Sequence, residues 1–216
     1  IRNLEKYKGD LKALTDPRKT SEAEAQKIIH TSKPIYWITS GMHSPERGGP
    51  EMLMELAYRL VVEETPFVQN IRNNVVTFIT PVIEVDGREK MVDNYYFNKE
   101  RGAGGGNLPL MYWGKYVQHD NNRDGYMLNV VESRVVARPW RQWEPNIIYV
   151  QHQTAPFPTR IWLPPFADPI APRVNAMMSR EVNTIGMTIA QRLEQEGKPG
   201  ATHMGTGFDA WYPGYI

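Results

Sequence analysis

Apolar and polar positions follow two different periods along this chain, and they switch several times. Residues 3–15 and 21–30 carry apolar side chains at helical spacing, which predicts two short amphipathic helices. The second opens on Ser21 with Glu24 three positions on, a capping-box pattern, and His30 near its end suits the negative pole of the helix. Ile35 to Ile38 is a short continuous apolar run closed by Thr39-Ser40-Gly41, which reads as a buried strand. The helical period returns from Pro50 to Glu64, where Leu53, Leu56, Ala57 and Leu60 share one stripe and Pro50 suits a first helical position. Asn73-Asn74 introduces a second strand, Val75 to Thr80, and Asp86-Gly87 beyond it is a turn signal. The stretch from Met91 to Gly106 ends in a glycine cluster with no Lys-Ser/Thr and no helical pattern after it. That predicts a flexible surface loop and no phosphate cradle. Ile147 to Val150 reads as another buried strand, and a long helix runs from about Val174 to Glu196 with Gly197 as its stop. No repeat or linker divides the chain, so residues 1–216 are expected to form one domain.

Composition narrows the classes. A chain of 216 residues is long enough for one substantial core. The net charge is +1 with both signs interspersed, unlike the basic stripe of a nucleic-acid binder or a membrane-surface helix. Mean hydropathy is −0.52 and the longest apolar runs are far too short to span a bilayer. There is no cysteine, which excludes disulfides and thiolate metal sites and suits a periplasmic or a cytosolic protein alike. The chain starts at Ile1, so any targeting segment is expected to have been removed.

Candidate chemistry lies at three places. His43 and Glu46 follow the first strand, at the carboxyl end where open α/β sheets bind ligands. An imidazole and a carboxylate on one short loop can grip a divalent metal if a third ligand joins them; the alternative is a surface His beside a helix-entry Glu. The Asn- and Asp-rich stretch from His119 to Tyr126 is a loop signal. Arg123 within it is either a carboxylate clamp or a solvated surface residue. His152 ends the Ile147–Val150 strand in the run Gln151-His152-Gln153. Alone it is an ordinary hydrogen-bonded His; with His43 and Glu46 it completes a set of two imidazoles and one carboxylate.

Three segments together, Gly41-Met-His43-Ser-Pro-Glu46, Asp120-Asn-Asn122-Arg123-Asp124 and Tyr149-Val-Gln-His152-Gln-Thr, resemble the zinc metallocarboxypeptidases of the carboxypeptidase A type. Glu84-Val-Asp86-Gly87 is similar to that family's Asn-Pro-Asp-Gly turn with two substitutions. The resemblance implies an α/β fold with a mixed, mostly parallel twisted sheet flanked by helices. It also implies zinc held by His43, Glu46 and His152 with a fourth position for water. Asn122 and Arg123 match the pair that holds the substrate's terminal carboxylate. For the Arg that polarises the scissile carbonyl the candidates are Arg88 and Arg101, neither in a Trp-Arg-Lys context, and for the covering tyrosine the candidates are Tyr212 and Tyr215. The family's general-base Glu lies on a late strand, whereas Glu181, Glu194 and Glu196 all fall on the long helix. The base is therefore expected beyond Ile216, in a C-terminal part of the fold that this chain lacks. The activity implied is removal of the C-terminal residue from peptides with a free carboxylate, by a secreted or periplasmic enzyme. The alternatives are a zinc amidohydrolase or deacylase of the same fold and a binding relative without catalysis.

Overall fold

The computed structural model describes residues 3–102, 113–114, 116–153, 159–165 and 173–203. The chain divides into two compact units, Ile1–Gln153 and Thr154–Ile216.

The first unit is built around a parallel sheet. Its helices are α1 (Leu4–Leu14), α2 (Glu22–Thr31), α3 (Gly48–Val62), α4 (Pro66–Asn74), α5 (Val85–Arg101) and α6 (Val131–Trp143). Its strands are β1 (Ile35–Thr39), β2 (Val76–Thr80) and β3 (Ile147–Val150), in the order β2-β1-β3. β1 pairs with β2 from Ile35 opposite Val76 to Thr39 opposite Thr80, and with β3 from Tyr36 opposite Ile147 to Thr39 opposite Val150. Being central, β1 is buried on both faces, and its uninterrupted apolar run follows from that position. Leu11 of α1, Ile35 and Val76 form one core cluster, with Phe78 and Trp143 meeting edge to face at 5.3 Å beside it. All three strands end at the same side of the sheet, so the loops after them converge there.

Several elements depart from the sequence expectations. α3 begins at Gly48, two residues before Pro50, and ends at Val62, not Glu64. Pro50 is still in the first turn, where its missing N–H leaves no bond unmade. Asp86-Gly87 is not a turn but the first turn of α5, because the Glu84 side chain accepts a hydrogen bond from the Gly87 N–H at 2.9 Å and caps the helix. The loop expected from Met91 is helical as far as Arg101; residues 103–106 lie outside the described residues. α6 carries Pro139 in its interior, which concealed a helix whose other residues favour one. β3 is only half-buried, Ile147 being 36% exposed, since it is an edge strand among the described residues.

In the second unit, β4 (Ile161–Trp162) and β5 (Ala201–Thr202) pair in parallel, and α7 runs from Ala176 to Gln195. The Asn175 side chain caps α7, and Gly197 takes a left-handed φ of +68° just past its end. A Cβ on Gly186 of α7 would stand 2.1 Å from the Pro164 carbonyl oxygen, so this helix needs glycine to reach that backbone. Glu181 and Glu194 are exposed, as the sequence suggests.

Candidate metal centre

The loop after β1 is folded by its own backbone. Gly41 has a φ of +63°, and a Cβ there would lie 3.0 Å from the Val82 Cα and 3.1 Å from the Pro81 carbonyl oxygen. Both the left-handed φ and the crowding call for glycine. The exits of β1 and β2 are then tied together, Ile83 N–H donating to Ser40 O at 3.1 Å and Glu84 N–H to Gly41 O at 2.9 Å. Further on, the Asn121 amide donates to Met42 O at 2.7 Å, and the Ser44 hydroxyl donates to Trp113 O. These bonds fix the backbone on either side of His43.

Three side chains meet at the carboxyl ends of β1 and β3. Donor atoms of His43, Glu46 and His152 all lie within 4.8 Å of one another. His43 Nδ1 is 2.6 Å from Glu46 Oε1, and His152 Nδ1 is 3.1 Å from Glu46 Oε2. The Gln153 N–H donates to Glu46 Oε2 at 2.8 Å. The two imidazole rings are 4.9 Å apart, and Trp113 lies 4.7 Å from the His43 ring. The far nitrogens are engaged as well: His43 Nε2 is 2.9 Å from Asp120 Oδ1, and His152 Nε2 is 3.2 Å from the Asn122 side-chain amide.

The charges follow from these contacts. Burial works against an ionised Glu46, but the two histidines and the Gln153 N–H outweigh it and hold the carboxyl down at about 2. Burial likewise disfavours a charged His43, but Glu46 and Asp120, one at each ring nitrogen, outweigh it and raise the imidazole above its ordinary range. Asp120 is lowered because His43 and the Asn122 N–H prevail over its burial. His43 thus sits between two carboxylates, one at each ring nitrogen.

The donor set fits zinc, which takes imidazole nitrogen and carboxylate oxygen. Both Nδ1 atoms face the same carboxylate while both Nε2 atoms are held from behind, the arrangement that orients metal-binding imidazoles. His43, Glu46 and His152 are the residues that could hold the ion.

Residues 18–124 match the family model for zinc carboxypeptidases. That match covers just under half of the chain, and over it the chain is similar to the zinc carboxypeptidases. The α/β architecture with its parallel sheet is compatible with that fold. No curated protein matches the chain. The zinc carboxypeptidase match covers His43, Glu46, Asn122 and Arg123 but stops short of His152, which the three-dimensional arrangement places beside His43 and Glu46.

Of the remaining sequence candidates, Asn122 and Arg123 lie on a short 3-10 turn, Asn121–Arg123, capped by the Asp120 side chain. Asn122 touches His152, and the half-exposed Arg123 side chain donates to Asn122 O at 3.0 Å. Arg88 is paired with Glu51, and the Arg101 guanidinium lies 4.3 Å from the Phe97 ring centre. Neither contacts the His43, Glu46 and His152 group, so the structure gives no support for a carbonyl-polarising role at either. Tyr212 and Tyr215 lie outside the described residues. Sequence reasoning gave no role to Asp120, Trp113 or Gln153. Asp120 and Gln153 are chain neighbours of candidates already chosen, which was the available signal; nothing pointed to Trp113. A second group of acids, Glu84, Asp86 and Glu132, also converges within 4.8 Å, and burial together with its two acidic neighbours pushes the Glu84 carboxyl up.

Proposed function

We propose that this chain carries the metal centre of a peptidase that removes the C-terminal residue of peptides. The observation that carries the reading is the convergence of His43, Glu46 and His152 on one point, with Asp120 and Asn122 behind the rings. The match of residues 18–124 to the zinc carboxypeptidase model supports it. Zinc held there would supply a Lewis acid for the scissile carbonyl and lower the pKa of a bound water. Asp120 holds His43 in one orientation and one tautomer, and Asn122 fixes the His152 ring. Arg123 is the carboxylate-recognising group: its planar donors suit two parallel bonds to a carboxylate, and it directly follows Asn122, which touches His152. A clamp so close to the metal centre would bring the last peptide bond to the reacting position and exclude internal bonds. Glu46, set between His43 and His152, would hold the ion together with them.

The test is hydrolysis of a short peptide with a free C-terminus against the same peptide as its C-terminal amide, with zinc and with a chelator. Zinc-dependent release of the last residue from the free acid, much reduced for the amide and in Arg123→Ala, is expected. Equal cleavage of acid and amide removes Arg123 from the account and favours an amidohydrolase.

A further inference from the structure

The two halves of the metal centre come from different strands, and the ladder that joins those strands stops before it reaches them. The last backbone bond between them runs from the Gln151 N–H to Thr39 O, at 2.9 Å. Beyond that point the residue 41–47 loop carries His43 and Glu46, and the end of β3 carries His152. Two contacts of Gln153 bridge the gap. Its backbone N–H donates to Glu46 Oε2 at 2.8 Å, and its side-chain Oε1 accepts from the Gly48 N–H at 2.8 Å.

The second contact involves no atom of His43, Glu46 or His152, so its making does not depend on what those side chains bind. It also satisfies an N–H in the first turn of α3, a helix whose N-cap residue, Arg47, makes no side-chain cap. Gln153 thus does from a distant strand what a Ser or Asp at the N-cap does locally. Space at the contact is limited: a Cβ on Gly48 would stand 3.1 Å from Gln153 Oε1.

Resting on the metal-centre reading above, we propose that Gln153 is a positioning residue whose side-chain oxygen clasps the start of α3 and so presets the spacing of His152 from His43 and Glu46. Without the clasp, the residue 41–47 loop and the end of β3 must be ordered by the metal itself, and that ordering is subtracted from the affinity. Loss of a group supporting metal ligands typically weakens binding about 10–100-fold.

Gln153→Leu keeps the bulk and removes the acceptor; Gln153→Glu keeps the acceptor. Two readouts are needed: the zinc dissociation constant from chelator competition, and exchange of the Gly48 amide hydrogen in the metal-free protein. Gln153→Leu should bind zinc about 10–100-fold more weakly and lose Gly48 protection, while Gln153→Glu restores both. A simple helix cap would lower thermal stability without moving the zinc constant of the folded protein. Zinc affinity of Gln153→Leu within twofold of wild type overturns the inference, as does a Gln153→Glu variant as weak as Gln153→Leu. Unchanged Gly48 exchange in Gln153→Leu overturns it too. Failure of the wild-type chain to bind zinc overturns the metal-centre reading itself, and is told apart by that control.

Discussion

Glu46→Gln in the metal-stripped protein probes the electrostatic knot at the site. The carboxylate accepts from both imidazoles and from the Gln153 N–H, at 2.6, 3.1 and 2.8 Å, and its side chain is 16% exposed. A glutamine offers one acceptor oxygen and turns an NH₂ toward a ring nitrogen that already carries a proton. The carboxyl is held at about 2 against an ordinary 4.5. At about 1.4 kcal/mol per tenfold change in proton affinity, that displacement corresponds to on the order of 3 kcal/mol. Sharing of the charge between two imidazoles and partial solvation reduce the expected loss to about 2 kcal/mol. The sign is set by the lowered pKa: the stabilisation is complete above pH 4.5 and is lost as pH falls toward 2. The assay is urea unfolding with chelator present. The gap between wild type and variant should be about 2 kcal/mol at pH 6 and less than half of that by pH 3. A gap below about 0.5 kcal/mol at pH 6, or one that does not change with pH, refutes the reasoning.

Other outcomes follow from the same contacts. Zinc and a proton compete for the His43 imidazole, whose pKa is raised by Glu46 and Asp120 against its burial. Chelator competition should therefore show affinity falling about tenfold per pH unit below that raised pKa and levelling above it; a flat profile contradicts the assignment. Gly87→Ala would place a Cβ 2.7 Å from both Ser44 Oγ and the Trp113 carbonyl oxygen. It should cost about 1–3 kcal/mol in urea unfolding, and a neutral substitution would disprove that close packing. Glu132→Gln relieves the buried Glu84 of a like charge. It should raise stability at neutral pH by about 0.5–1 kcal/mol, with the gain disappearing as acid protonates Glu84.

The parts of the fold that could be read from sequence are those where burial enforces a period. β1 is apolar throughout because it lies between two strands, and Leu53 marks the buried stripe of α3. α5 and α6 were not legible for specific reasons. Glu84 caps α5 from a sequence that otherwise signals a turn, and Pro139 interrupts α6 in its own pattern. At the site, His43, Glu46 and His152 could be singled out because each follows an apolar strand. The bond from Asp120 to His43 spans 77 residues and the bond from Gln153 to Gly48 spans 105, and no local pattern announces contacts of that range. Arg88 and Arg101 were candidates by residue type alone, and their partners are Glu51 and Phe97.

The central claim is that two imidazoles and a carboxylate from separate strands hold one ion. Zinc content measured after stripping, reconstitution and gel filtration, for the wild-type chain beside His152→Ala, tests it most directly. The account predicts about one zinc per wild-type chain and a large loss in the variant at the same free zinc concentration. A wild-type chain that retains no zinc, or a His152→Ala variant that retains as much, contradicts it.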